Sequence, residues 1–436
     1  MSAVRTHGRR TLVPWHQEMP HSAKPHSRIL PQRGVSLKVL LMQDFQTAAS
    51  VLKHRLPHSA KPHPRILPQR GINMSMLEKE CPNDGTLQED LEAVADSDLP
   101  LTELSGKTIL VTGATGLVGS ETVRALACIN RKRKAGITIL ALIRNPKKAE
   151  SIYGNLLNRG DINIVTGDLL RPDELSHAVR VPVDYIIHCA AVTASNTMVT
   201  KPVETINTAI EGTRNMLEIA RMKNVKSFVY LSSMEVYGRM DTKEPVTEEM
   251  QGYVDPLAVR SNYPLSKRMC ENLCAAYYAE YGLPVRIARL AQTFGAGVLP
   301  GENRVFAQFA RSVMEGKDIV LHTKGTSEGN YCYTADTVRG LLTILTKGAD
   351  GEAYNIANEE THTTIADMAE FAAHTLAEDK IRVVFDIPES NTYGYAAETH
   401  MTLSSSKLRA LGWEPHYNLE QCYRRMMESM KAGGLS

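Results

Sequence analysis

From about residue 105 onward, short apolar runs rich in β-branched residues alternate with longer stretches whose apolar positions recur every three or four residues. The runs 108–111, 138–143, 162–165, 185–188 and 227–231 read as strands, while 120–127 and 203–223 carry helical spacing. Repeated alternation of this kind predicts an α/β fold, a doubly wound parallel sheet, because helical crossovers return the chain to lay each strand parallel to the last. Beyond residue 290 the pattern loosens, with helices expected over 304–315 and 364–376 and a short strand over 381–385. That suits a smaller α/β lobe over 291–436 closing on a sheet domain over 105–290. Ahead of both, 74–104 turns acidic, and QEDLEAVA within it reads as a short amphipathic helix leading into the sheet.

Residues 1–73 show no sustained period and a different composition. They hold 12 Lys and Arg against Glu18 and Asp44, a balance of +10, whereas the rest of the chain has 38 basic and 46 acidic residues, so the overall +2 conceals a split. The run PHSAKPHSRILPQRG at 20–34 returns at 57–71 with one change. Two Pro- and Arg-rich copies cannot stack into a solenoid. The segment reads as a disordered or wrongly assigned leader, with translation starting at Met74 or Met76; a basic arm for nucleic acid and a transit peptide are the other readings, nucleic acid being the weakest because charge alone gives loose, salt-sensitive association. Over the whole chain, 43% hydrophobic and 22% charged content is globular. No stretch approaches the roughly 18 apolar residues of a membrane span, and no secretory signal is evident, so a cytoplasmic location is expected. Seven scattered cysteines without CxxC spacing argue for reduced core thiols and against a zinc site; no metal is expected.

The first strand runs into Thr112-Gly113-Ala114-Thr115-Gly116-Leu117-Val118-Gly119 and then a helix. Strand, glycine turn and helix form the Rossmann context for a dinucleotide: Gly113, Gly116 and Gly119 permit a tight turn and close backbone approach, with Thr115, Leu117 and Val118 lining the helix N-terminus that faces the pyrophosphate. The second strand ends in Arg144, where an acidic residue would bind the ribose of NAD. An arginine there favours the 2′-phosphate of NADP, or else forms a solvated basic turn. Asp168 and Leu169 follow the third strand and Ala190 and Ala191 the fourth, at the sheet edge where such ligands bind.

The fifth strand runs into Ser232-Ser233-Met234-Glu235-Val236-Tyr237-Gly238, and Tyr263-Pro264-Leu265-Ser266-Lys267 opens a later helical stretch. Positions i and i+4 share a helix face, so Tyr263 and Lys267 project together, and a neighbouring ammonium pulls a phenol towards its ionised form. With TGATGLVG, GDL at 167–169, HCAA at 188–191, SSMEVYG, YPLSK and RLAQTFG at 289–295 in order, the chain over 105–430 resembles the extended short-chain dehydrogenase/reductase superfamily, in particular its NAD(P)-dependent nucleotide-sugar epimerase/dehydratase family.

That resemblance implies a transient 4-keto sugar, with Tyr263 as base, Lys267 on the nicotinamide ribose and Ser233 on the reacting hydroxyl. Glu235 remains as an acid or base, while Met234 stands where dehydratases of the family place an acid, which disfavours 4,6-dehydration. The family's diphosphate arginine is absent from Gly329-Asn330-Tyr331-Cys332-Tyr333-Thr334-Ala335-Asp336; Arg304 is the candidate substitute, and Gln292 stands where the family usually has asparagine. The expected activity is epimerase or related decarboxylase/dehydratase chemistry on a nucleotide sugar, with an NADP-dependent carbonyl reductase or a non-catalytic dinucleotide-binding protein as alternatives. A homodimer is expected through the YxxxK helix, whose Met269, Cys270, Leu273, Cys274 and Tyr277 form an apolar stripe; an internal core face would give the same stripe. Mass spectrometry of the native N-terminus should find it at Met74 or Met76, and a native peptide from residues 20–60 would overturn the wrong-start reading.

Overall fold

The computed structural model describes residues 78–299, 301–388 and 398–434. The basic leader, its repeat and both proposed start methionines lie outside the described residues.

In chain order the main elements are α1 (Gly85–Asp96), β1 (Thr108–Thr112), α2 (Leu117–Arg133), β2 (Thr138–Ile143), α3 (Pro146–Tyr153), β3 (Ile162–Thr166), α4 (Pro172–Ala178), β4 (Tyr185–His188), α5 (Pro202–Lys223), β5 (Ser227–Ser233), α6 (Asn262–Tyr281) and β6 (Val285–Leu290). The second half adds β7 (Gln292–Phe294), α7 (Val305–Glu315), β8 (Ile319–Leu321), β9 (Glu328–Tyr333), α8 (Thr334–Lys347), β10 (Ala353–Ile356), β11 (Asn358–Thr364), β12 (Val383–Phe385) and α9 (Leu419–Ala432). Seven strands form one sheet in the order β10-β6-β5-β4-β1-β2-β3, and every pairing in it is parallel. The expected doubly wound Rossmann sheet is therefore present. Its strand order reverses between β1 and β4, opening a crevice at their carboxyl ends.

The sheet's last strand, β10, lies beyond residue 290. It pairs with β6 from Ala353↔Ile287 to Ile356↔Leu290, and four residues just past Gly348 and Gly351 are too few to show a period. Two smaller sheets build the other lobe, β11-β9-β7 and the parallel pair β12-β8. Phe294 of β7 stacks on Phe306 of α7 with ring centroids 4.7 Å apart.

The acidic lead-in is structural. Helix α1 buries Leu87, Leu91, Val94 and Ala95 in the same core as Val123 and Ala127 of α2, and the side chain of Asp84 caps its N-terminus through Leu87 N–H. Asp90 of α1 accepts from the hydroxyls of Tyr333 and Tyr417 and from Arg425, joining the front of the fold to β9 and α9. Just before α1, Glu80 accepts from Arg159 at 2.6 Å, and Arg159 also holds Asp161 at 2.7 Å. Helix α6 uses its expected stripe inwardly: Cys270 and Cys274 are fully buried in the cluster that contains Tyr230 and Phe228, and Leu273 and Tyr277 pack against it. Met269 alone of the stripe is exposed, at 45%.

Glu80, Arg159 and Asp161 are all buried, so removing the cation leaves Asp161 without an ion pair, held only by Asn130, and takes from Glu80 one of its two arginines, Arg131 remaining at 2.9 Å. Arg159→Ala should cost about 3 kcal/mol of stability, read as a lowered urea midpoint.

Candidate active site

The dinucleotide half of the site is set by backbone contact. A Cβ on Gly113 would lie 2.7 Å from the backbone of Ala190, and one on Gly119 would lie 2.3 Å from the Gly113 carbonyl oxygen, so neither position accepts a side chain without movement. Gly116 differs: it is exposed, and an added Cβ would meet nothing nearer than 3.4 Å. Gly116 also caps α2 without any side-chain hydrogen bond, and the first turn has no acidic residue. The first N–H groups of a 17-residue helix thus have no side-chain cap, which fits an anionic pyrophosphate. Thr115, Leu117 and Val118 line this turn, each half-buried, and the buried Tyr153 hydroxyl donates to the Ala114 carbonyl oxygen, fixing the loop from behind.

The strand ends beside the loop are locked together. Thr112 Oγ1 accepts from Ala190 N–H at 3.1 Å and lies 2.7 Å from His188 Nδ1. Burial, helped by the Lys267 charge, pushes the imidazole down to about 3, so His188 is a neutral strut. Ala190 and Ala191 are half-buried at the crevice. Leu169 is a packing residue opposite Gly212, where a Cβ would come within 3.2 Å of it, and Asp168 accepts from Leu170 N–H to close its own turn. Arg144 stands exposed just past β2.

At the carboxyl end of β5, Ser233, Tyr263 and Lys267 converge as the spacing predicts. Lys267 is buried, donates from Nζ to the Leu231 carbonyl oxygen at 2.6 Å, and sits 5.8 Å from the Tyr263 ring centroid. Desolvation lowers its affinity for a proton. Burial and then the Glu235 charge hold the Tyr263 phenol well above its ordinary value, opposed by a hydrogen bond with Ser233 and by the charges of Arg260 and Arg304. The phenol is thus a proton carrier whose ionisation depends on the charge placed beside it. Glu235 is half-buried next to Ser233, whose hydroxyl accepts its N–H at 3.3 Å.

Sequence reasoning missed Arg260, which grips Glu235 with both terminal nitrogens at 3.0 Å. It missed Arg268 as well, which donates to the carbonyl oxygens of Val236, Tyr237 and Gly252 and straps the turn after β5 to α6. Neither lies in a recognisable spacing; only the fold brings them to the turn. Of the expected substrate residues, Gln292 is half-buried on β7. Arg304 is 41% exposed and paired with Glu302 at 2.7 Å. At the head of the stretch that lacks the expected arginine, Gly329 has room: a Cβ there would meet Met234 Cε only at 3.6 Å. Among the described residues no cluster of metal-ligating side chains occurs, and no helix is long and apolar enough to cross a membrane.

A Rossmann sheet, an uncapped glycine turn and a Ser-Tyr-Lys convergence define an extended short-chain dehydrogenase/reductase. The family model described as the NAD dependent epimerase/dehydratase family matches residues 109–357, and the chain belongs to that family of enzymes. It is 28% identical over 334 residues to UDP-glucuronic acid decarboxylase 6 of Arabidopsis thaliana, covering 75% of this chain and 90% of that protein. To the UDP-N-acetyl-alpha-D-glucosaminuronate decarboxylase of Bacillus cytotoxicus it is 29% identical over 293 residues, covering 67% and 87%. Among solved structures, the epimerase Mth375 of Methanothermobacter thermautotrophicus matches with a TM-score of 0.65 at 25% identity, covering 80% of this chain and 96% of that one.

Since Glu235 raises the Tyr263 phenol and Arg260 lowers it, Glu235→Gln removes the first effect and leaves the second unneutralised. Both changes act in one direction. Ultraviolet titration should show one phenolate forming at lower pH in Glu235→Gln than in the parent, and that signal should vanish when Tyr263→Phe is added.

Proposed function

We propose that the protein is an NAD(P)-dependent nucleotide-sugar decarboxylase that oxidises a UDP-linked uronic acid at C4 and releases the C6 carboxylate as carbon dioxide. What carries this reading is the turn after β5: a phenol, a hydroxyl and an ammonium stand together for proton transfer, while the neighbouring Met234 offers no proton for elimination of water. Decarboxylation needs no acid at that place. A dinucleotide held at the glycine turn would supply the hydride acceptor for C4 and the means to return that hydride. Tyr263 takes the C4 hydroxyl proton, with Ser233 orienting the oxygen. The resulting ketone is β to the C6 carboxylate, so the C5–C6 bond breaks, carbon dioxide leaves, and the electron pair passes to the C4 oxygen, where the Tyr263 hydroxyl stabilises it. The pair then returns to C5 with a proton that Glu235, 33% exposed, is placed to relay from solvent. Two of the chain's relatives, both decarboxylases of UDP-uronic acids, support the same substrate class.

Within this reading Gly113, Thr115, Gly116, Leu117, Val118, Gly119, Asp168, Ala190, Ala191 and Lys267 hold the dinucleotide, and Gln292 and Arg304 the nucleotide sugar. Arg144, exposed where the adenosine ribose falls in such folds, supports a place for the 2′-phosphate of NADP. Six of the seven free cysteines are buried, which supports a reducing, cytoplasmic setting. Exposed Val203, Ile206 and Met269 on the adjoining α5 and α6 support a homodimer through those helices.

The full-length protein should convert UDP-glucuronate with release of carbon dioxide and no net use of its bound dinucleotide, and Tyr263→Phe should lower kcat by at least ~100-fold. The same preparation should scatter light as a two-chain particle and yield NADP on denaturation. Oxidation of NADPH by simple ketones, with no nucleotide sugar turned over, would establish the carbonyl reductase instead.

A further inference from the structure

Arg260 enters the site from the turn before α6, three residues ahead of Tyr263. Its guanidinium carbon lies 5.9 Å from the Tyr263 ring centroid. Nη1 and Nη2 each donate to a different oxygen of Glu235 at 3.0 Å, fork against fork, in a pair whose side chains are 21% and 33% exposed. The fork is the geometry by which arginine recognises any carboxylate. Beside it, Arg260 Nε is shut off from water without an acceptor, and Asn262 Oδ1, on the residue preceding Tyr263, is shut off without a donor. Buried polar atoms in such a state are satisfied by a ligand or an ordered water. Arg304, the other cation bearing on the phenol, is tied to Glu302 and is more exposed.

We propose that Arg260 is the receptor for the substrate's sugar carboxylate, and that Glu235 is an internal carboxylate occupying that receptor until the substrate displaces it. The proposal rests on the uronate reading above and adds the residue that selects it. A sugar whose C4 hydroxyl lies on Tyr263 carries its C6 group two bonds from C4, within reach of a guanidinium beside the same ring. The exchange replaces one carboxylate by another on the same fork, so the guanidinium keeps a counter-charge while Glu235 is released towards C5. A neutral sugar has nothing to offer the fork and leaves Glu235 in place.

The test is calorimetric binding of UDP-glucuronate and UDP-glucose to the dinucleotide-loaded full chain in a Tyr263→Phe background, which halts turnover. The parent should bind the uronate at least about tenfold tighter than the neutral sugar. Adding Arg260→Gln should abolish that preference while leaving UDP-glucose affinity within about twofold, which also shows that the variant folds. Adding Glu235→Gln should tighten uronate binding several-fold and leave UDP-glucose unchanged, an effect that a merely structural ion pair would not produce. A preference that survives Arg260→Gln, an equal loss for both sugars, or weaker uronate binding in Glu235→Gln would overturn the proposal while leaving the uronate reading standing. A parent that binds UDP-glucose with no preference for the uronate would overturn both.

Discussion

One hydrogen bond, from the buried Lys267 Nζ to the Leu231 carbonyl oxygen, ties the helix that carries Tyr263 to the strand that carries Ser233. Burying an ammonium is costly unless its donors are engaged. The Leu231 oxygen engages one of them, and Lys267 also lies 4.7 Å from the Tyr230 ring centroid, against the electron-rich face of a buried aromatic. Everything downstream depends on that registration. The phenol stands one helical turn before Lys267, and the Arg268 guanidinium, one residue after it, holds the carbonyls of the turn containing Glu235. Arg289 extends the same frame, gripping Glu271 of α6 and donating to the Tyr237 hydroxyl.

The price of that rigidity is electrostatic. A buried phenol resists ionisation, and a carboxylate beside it deepens the resistance. The protein sets two guanidinium groups and a serine hydroxyl against it, and burial still dominates. The described groups together therefore favour the protonated form of Tyr263, and further positive charge near the ring would act against that preference. The N-terminus of α2, with no side-chain cap and no acidic residue in its first turn, has the character that suits a phosphate.

Much of this was legible in the sequence, for particular reasons. Strands β1, β2 and β4 are nearly continuous apolar runs because both faces of the sheet are covered there, and the glycine turn and YxxxK announce themselves by spacing. What escaped was carried by long-range pairing. β10 has four residues and takes its identity from β6. Helix α1 looked like an acidic lead-in because its charges were visible and its partners were not: Arg425, Tyr333 and Tyr417 meet Asp90 from more than 240 positions away. The α6 stripe was ambiguous by nature, since an apolar face reads alike whether it meets its own sheet or a second chain. Cys270 and Cys274 turn inward because Tyr230 and Phe228 are there to receive them.

Arg260 and Arg304 show how a departure from a family pattern changes the energetics of binding. With no arginine in the stretch from Gly329 to Asp336, the two guanidinium groups bearing on the phenol are ones that the protein has already paired, Arg260 with Glu235 and Arg304 with Glu302. An anionic ligand entering such a site does not meet bare positive charge. It exchanges with an internal carboxylate, and the gain is the difference between two similar ion pairs, which is small for exposed partners and grows as water is excluded. Raw attraction then contributes little, and discrimination comes from whether the ligand can reproduce the fork it displaces. That logic favours selectivity at the half-buried Arg260 over the exposed Arg304, because the penalty for leaving a guanidinium without its carboxylate is larger where solvent cannot supply a substitute.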